Sequence, residues 1–279
     1  MNIIKFIESF TDDQMFLSKG SRRESFAQFG NLGKKAALNA IPGGLLALLL
    51  VPKKGHAATT LLNDSSPVQA LQLGLTLEYL DSTFYQMGLD MDGLIPEGRD
   101  RTIFTKIVQN ENAHKAALIT ALNSLGSGNV IDEPTFDFTM NGVLDPFNNY
   151  DQFLALSQAF EDTGVRAYKG QAHNLMSQPN ILQTSLQIHS AESRQAAAVR
   201  MLRGQKGWIT GNEMDDMMPT STQAVYNGEN TTTQMGFNTA TVTGGTGNPS
   251  IPQNAGSQAF DEPLTREQVM AIANMFIEP

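Results

Sequence analysis

Four glutamates and one histidine occupy places where a helical pattern otherwise puts apolar side chains. The clearest stripe runs through residues 104–125, where every position is apolar except Glu111 and His114 at its centre. Because positions three and four residues apart share one face of a helix, this stripe directs both polar groups into the interior of a bundle. Three similar stripes each carry one central glutamate: Glu78, Glu161 and Glu192.

Carboxylates that converge in a protein interior need a positive partner. An unpaired buried carboxylate tends to take up a proton, and four together repel one another. A divalent cation offsets that charge, and a histidine three residues after a glutamate adds a nitrogen donor on the same face. Mixed oxygen and nitrogen donors suit iron, manganese or zinc, whereas calcium and magnesium prefer oxygen alone. The alternatives are a chance pair at a helix surface and glutamates that reach water at the stripe's edge.

The composition excludes several other kinds of site. The 279-residue chain has no cysteine, which rules out disulfides, thiolate-bound zinc, iron–sulfur clusters and a cysteine nucleophile. Its net charge is −9, and the acidic excess falls after residue 57. Since a nucleic-acid partner requires a basic face, this charge argues against one.

Residues 1–57 have the pattern of an export signal. A charged segment with Arg22 and Arg23 precedes an apolar run at 36–52, and small residues lead to a cleavage point after Ala57. The paired arginines are similar to a twin-arginine signal, which places the mature protein in the periplasm or cell envelope. A membrane anchor and a retained helical arm are the alternatives. We expect no stable membrane insertion once the signal is removed.

Four helical segments follow, and we place a bundle over residues 58–204. Short links join the segments into two pairs, and a longer crossover at 129–149 joins the pairs. This arrangement predicts an all-α, antiparallel four-helix bundle with one long crossover. The segments run from Pro67 to Met87, from Glu97 to Leu125, from Asp151 to Met176, and from Pro179 to near Gly204.

The two pairs of segments look alike. Glu78 is followed seven residues later by Tyr85, and Glu161 is followed seven residues later by Tyr168. The second helix of each pair has its own glutamate, at a similar number of residues after the glutamate of the first helix. The repeated spacing indicates an internal duplication.

Residues 205–279 are of a different kind. The stretch 220–256 is rich in threonine, asparagine, glycine and serine, which predicts irregular coil or partial disorder. Helical spacing returns at 264–276, with Thr265 as a capping residue. We expect this irregular C-terminal extension to end in a short helix that packs on the bundle or on a neighbouring subunit.

These segments resemble the ferritin-like superfamily and, within it, the bacterial ferritin-like and desiccation-related proteins. The resemblance covers most of residues 66–279 and implies two metals between the helices. It also implies a homo-oligomer or a related ferritin-like subunit as partner. The matching stretches are Leu75–Tyr85, Glu111–His114, Phe160–Tyr168, Ala191–Ala197 and Phe260–Thr265.

By this resemblance, Glu78, Glu111 and His114 hold one metal. Glu161 and Glu192 hold the other, and Glu111 and Glu192 bridge the two ions.

The superfamily pattern has a second histidine where this sequence has Gln195. Glutamine is a weak neutral ligand, so the second position loses its nitrogen donor, unless His189 replaces it. Three outcomes remain open: a single metal, a poorly occupied pair, or a polar core without metal in which every acceptor finds a donor.

Two functions follow from these alternatives. One is an exported protein that binds iron or manganese, as one or two ions, and reacts with oxygen or peroxide in metal, oxidative or desiccation stress. The other is a non-catalytic structural or assembly protein with a degraded metal site. A storage cage is disfavoured, because the subunits of such cages lack the long coil-rich tail that this chain has.

Overall fold

The structure is a computed structural model that describes residues 66–212, 214–215, 218–241 and 253–278. The predicted export signal at residues 1–57 lies outside the described residues.

Four long helices form the body of the described chain. The first packs along the second, the third packs along the fourth, and further contacts join the first to the third and the second to the fourth. This arrangement confirms the predicted all-α bundle. The helices are α1 Pro67–Asp90, α2 Arg99–Leu125, α3 Tyr150–Gln171 and α4 Pro179–Leu202.

Local chemistry sets where these helices begin and end. Ser66 and Gln69 form a reciprocal capping box at the start of α1, with proline in the first turn. The side chain of Asn149 caps α3 by accepting a hydrogen bond from the backbone of Gln152. Helix α3 is shorter than the sequence predicted, because a 3-10 turn at Ala172–Leu175 takes over from it.

Two apolar clusters fill the interior of the bundle. One is aromatic, and in it the ring of Phe84 stacks on Phe153 with centroids 4.8 Å apart. The other is mainly leucine and contains Leu75 and Leu118. Residues of both clusters flank Glu78 on α1, since Leu77 belongs to the aromatic cluster and Tyr79 to the leucine cluster.

The C-terminal extension adds short elements to this body. Helix α7 packs against α1 and α3 and buries Val269 and Ile272, and a capping box of Thr265 and Gln268 begins it. The elements are α5 Gln223–Tyr226, the antiparallel pair β1 Thr233–Gln234 and β2 Phe237–Asn238, α6 Gln253–Gln258 and α7 Arg266–Ala273.

One arginine of α3 fastens the extension to the bundle. The buried guanidinium of Arg166 pairs with Glu229 at 2.8 Å and donates to the backbone carbonyl of Glu262 at 2.7 Å. It also donates to the carbonyls of Val225 and Asn227. Arg166 therefore ties α3 to four residues of the described part of the extension.

The length and the apolar character that a bilayer-crossing helix requires do not occur together in any described helix.

Candidate metal centre

Each of the four long helices buries the glutamate that its stripe placed at the centre. The exposed fractions of Glu78, Glu111, Glu161 and Glu192 are 1%, 0%, 0% and 1%. A glutamate at the edge of a stripe would reach water, and none of the four does. Deep burial of four carboxylates is costly unless protons, donors or a cation compensate their charge.

Four of the five predicted ligands meet at one nitrogen atom. The Nδ1 atom of His114 lies 3.2 Å from Glu111 Oε2, 3.3 Å from Glu78 Oε2 and 3.1 Å from Glu192 Oε1. One ligand atom from each of these residues lies within 4.8 Å of the others. A ring nitrogen of histidine carries at most one hydrogen, so it cannot satisfy three oxygens at once. Glu78 Oε2 and Glu192 Oε1 indeed lack a hydrogen-bond partner.

The proton affinities of the cluster reflect this shortage of positive charge. Burial, followed by the charge of Glu78, raises the pKa of Glu111 to about 8. Burial, followed by the charge of Glu111, raises the pKa of Glu192 to about 7. Burial alone would lower the pKa of His114, but the three carboxylates beside it outweigh that effect and raise the pKa to about 12. The cluster therefore binds positive charge strongly, as protons or as a cation.

Two tyrosines connect the helices crosswise. The hydroxyl of Tyr85 on α1 donates to Glu161 Oε1 of α3 at 2.7 Å. The hydroxyl of Tyr168 on α3 donates to Glu78 Oε1 of α1. The repeated Glu-to-Tyr spacing of seven residues thus produces two equivalent bonds, which is the arrangement expected of a duplicated helix pair.

Glu161 lies outside the group around His114. Its Oε1 atom is bound by Tyr85, and its Oε2 atom has no partner. Burial raises its pKa well above the ordinary value, and the charges of Glu192 and Glu111 add to the effect. Glu161 therefore shares the interior with the cluster without facing the imidazole.

The amide of Gln195 occupies the place of the second histidine. Its nitrogen donates to Glu111 Oε1, and its oxygen accepts a hydrogen bond from Asn110 at 3.3 Å. His189 is not a member of the described cluster, so the structure gives no support to its replacing the missing ligand. Burial lowers the pKa of His189, which faces the backbone of Val165 instead.

Asp81 is a further buried carboxylate at the centre, and it was not among the residues predicted from the sequence. Asp81 follows Glu78 by three residues on α1, is 3% exposed, and has an Oδ1 atom without a partner. Its position one turn before Tyr85 on the same helix face was the available signal. Gly164 holds the equivalent place on α3, where a Cβ atom would lie 2.6 Å from Glu192 Oε2.

The donor set of the cluster fits a metal ion. Three carboxylates and one imidazole are the ligand types that divalent transition metals accept. The oxygens without partners face the shared centre rather than the solvent, and a cation there would satisfy them together.

Comparison with known proteins agrees with this geometry. A family model described as ferritin-like domain matches residues 66–205, which include all four long helices and all five predicted ligands. No curated protein matches the chain significantly. With half of its length covered by this match, the chain belongs to the ferritin-like domain family.

Proposed function

We propose that this chain binds iron or manganese between Glu78, Glu111, His114 and Glu192, and that the loaded centre reacts with oxygen or peroxide. The observation that carries the proposal is the single Nδ1 atom that faces three carboxylate oxygens at 3.1–3.3 Å. A hydrogen bond can serve only one of those oxygens, whereas one cation can contact all of them and the nitrogen.

The burial of the cluster favours a tightly held cation over one that exchanges readily with solvent. The side chain of His114 is 12% exposed and those of its three partners are 2% exposed or less, so water has little access. An ion pair in such an environment is screened weakly, which strengthens its attraction. The leucine and aromatic clusters on either side hold the four helices at a fixed separation.

The ligand types support iron or manganese over a hard cation at this position. An imidazole nitrogen beside three carboxylates is a mixed donor set, which calcium and magnesium disfavour. When bound, iron or manganese would supply a centre that exchanges electrons with oxygen or peroxide. The chain's own part is to hold the donors in place. Tyr168, for example, binds one oxygen of Glu78 and leaves its Oε2 oxygen facing His114.

We further propose export and a role in stress. The arginine pair and apolar run before Ala57 support export of a chain that is already folded. The resemblance to desiccation-related proteins supports protection against oxidative damage as the setting.

A second candidate function is a structural protein on the same scaffold, and Gln195 favours it. Its amide donates to Glu111, which satisfies one carboxylate oxygen without metal. In that case protons would neutralise the remaining carboxylates.

Metal binding separates the two candidates. Untagged protein is stripped with a chelator, its melting temperature is measured with and without Fe²⁺ or Mn²⁺, and bound metal is determined by elemental analysis. A ligand at a hundred times its dissociation constant stabilises the folded state by about 2.7 kcal/mol, so we expect melting to rise by several degrees.

Glu78→Gln is the test variant, and Glu97→Gln at a side chain that is 86% exposed is its matched control. We expect Glu78→Gln to lose the melting shift and the control to keep it. Substoichiometric metal with no shift in the wild type would favour the structural protein. Oxidation of bound Fe²⁺ by oxygen or peroxide, followed by absorbance, then tests reactivity.

A further inference from the structure

A cavity of about 1020 Å³ lies where the C-terminal extension meets the bundle. Its lining residues come from α3 and α4 on one side and from residues 204–258 on the other, and the described ones include none of the proposed metal ligands. The volume is at the upper end of the roughly 300–1,000 Å³ that small-molecule pockets occupy. The cavity is therefore large enough for a small molecule and separate from the metal centre.

Part of the cavity lining is polar, buried and already held in place. Gln158, Arg200 and Tyr226 line the cavity and are each 3% exposed. The hydroxyl of Tyr226 accepts a hydrogen bond from the amide of Gln158 at 3.2 Å and donates one to Asp162 at 2.9 Å. Arg200 donates to both oxygens of the same aspartate. Because these bonds fix the groups before a ligand arrives, little side-chain freedom is lost on binding.

The charges beside the cavity are largely paired. Arg200 faces Asp162, and Arg203 donates to Asp215 at 2.9 Å. Lys206 also lines the cavity, but it is exposed to solvent, which weakens its attraction for an anion. An anionic ligand would have to compete with Asp162 and Asp215 for their arginines. This balance favours a neutral ligand.

Most of the other lining side chains carry an amide or a hydroxyl group. An amide presents a donor and an acceptor side by side, and a hydroxyl acts as either. A matching ligand must also offer donors and acceptors close together, as the hydroxyl groups of a sugar do. An apolar ligand would leave these groups without partners. On the side of the extension they include Thr210, Asn212, Asn230, Thr232 and Gln258.

We propose that this cavity binds a neutral sugar of one or two rings. The amides and hydroxyls bind the hydroxyl groups of the sugar, and Ile209, Met214 and Met218 contact its C–H surface. The inference goes beyond the proposed function, since it uses none of the metal ligands and no part of it requires a bound metal.

The single tryptophan of the chain reports on the cavity. Trp208 Nε1 donates to Gln258 Oε1 at 3.1 Å, and Gln258 lines the cavity. Full-length protein is titrated with glucose, maltose, cellobiose and sucrose while the fluorescence of Trp208 is followed. Saturation-transfer difference NMR of the same mixtures detects binding that leaves the fluorescence unchanged. We expect a saturable signal with at least one of these sugars. Saturation is required, because sugars excluded from a protein surface also stabilise proteins without occupying a site.

Two substitutions remove polar groups from the cavity and leave its ion pairs intact. Asn230→Ala removes an exposed amide, and Thr232→Val removes a hydroxyl at nearly constant size. We expect each to weaken binding by roughly two- to tenfold, because one hydrogen bond to the sugar is lost. Asn123→Ala, at an exposed asparagine of α2, is the matched control and should bind as the wild type does. Circular dichroism verifies the fold of each variant.

Three results would overturn the inference. The lack of a saturable signal with all four sugars would exclude a sugar site. Equal binding by the wild type, Asn230→Ala and Thr232→Val would place the ligand elsewhere on the chain. Tighter binding of inorganic phosphate than of any sugar would show an anion site instead. Each of these results leaves metal binding at His114 unaffected, so the two proposals fail separately.

Discussion

Two regions of the same bundle bury charge in opposite ways. Where the extension meets the bundle, Arg200 donates to both oxygens of Asp162, and Tyr226 adds a third bond to Asp162 at 2.9 Å. Arg166 similarly pairs with Glu229. At the centre of the bundle, five carboxylates are buried with a single imidazole, which faces three of them. The three are Glu78, Glu111 and Glu192, and the other two are Asp81 and Glu161.

The comparison indicates which of the two regions needs a cation from solvent. Both regions are deeply buried, so the cost of removing charge from water is similar in both. At the junction with the extension, the chain supplies its own cations. At the centre it supplies too few, although Tyr85, Tyr168 and Gln195 add neutral donors. The positive charge that the centre still lacks must therefore come from solvent, as protons or as metal ions.

The largest effect is expected where the chain's own cation is removed. Arg166→Met removes the ion-pair partner of the buried Glu229 and the donor to three backbone carbonyls. Breaking a buried pair in this way costs about 3–5 kcal/mol of unfolding free energy. Urea unfolding measures the loss, and limited proteolysis should show release of the extension. Arg194→Met at an exposed arginine of α4 is the control, and equal stability of the two variants would contradict the assignment.

The stability of the metal-free protein should fall as pH rises from about 4.5 to about 8. Glu111 and Glu192 have folded-state pKa values of about 8 and about 7, above the unfolded value of 4.5. In this window the folded chain holds more protons than the unfolded chain, so raising the pH favours unfolding. Each extra proton contributes a slope of about 1.4 kcal/mol per pH unit.

Urea unfolding at pH 5, 6, 7 and 8 with a chelator measures this slope. Saturation with Mn²⁺ should flatten or reverse it, because the cation replaces the protons. A metal-free protein that gains stability over the same range would show that the cluster is not the dominant titrating group.

The same substitution should have opposite signs in the two regions. Asp81→Asn replaces a buried carboxyl group whose Oδ1 atom has no hydrogen-bond partner, and we expect it to stabilise the metal-free protein at pH 8 by about 1–3 kcal/mol. Asp162→Asn removes the partner of Arg200 and should destabilise the protein at the same pH. Thermal unfolding with a chelator compares them. A loss of stability in both variants would show that the carboxyl group of Asp81 has stabilising partners, and it would contradict this prediction.

The smallest effect is expected from the tyrosines. Tyr85→Phe removes one hydrogen bond to Glu161 and should cost about 1 kcal/mol in the metal-free protein. Tyr168→Phe should cost a similar amount through Glu78, because the two bonds are equivalent across the duplication. Urea unfolding of both variants measures the costs, and a large difference between them would argue against equivalence.

The sequence predicted the bundle well because helical periodicity and capping are local. Proline starts α1 and α4, and the predicted limits of these helices lie within a few residues of the observed ones. The inward glutamates were also predictable, since each interrupts an apolar stripe. The equivalence of Tyr85 and Tyr168 followed from their common spacing.

The interior position of Asp81 and the ion pairs of Arg166 and Arg200 could not be predicted from the sequence in this way. Helix α1 is buried on several faces, so a single stripe through Ser82 did not reveal that neighbouring Asp81 is also interior. The partners of Arg166 lie in the extension, 59 to 96 residues away along the chain. Only the folded arrangement shows which charges are balanced.

Anomalous diffraction from crystals of the full chain grown with Mn²⁺ or Fe²⁺ tests the central claim most directly. We expect a peak at about 2.0–2.3 Å from His114 Nδ1 and from oxygens of Glu78, Glu111 and Glu192. Absence of any peak inside the bundle, with the imidazole still held by the carboxylates alone, would contradict it.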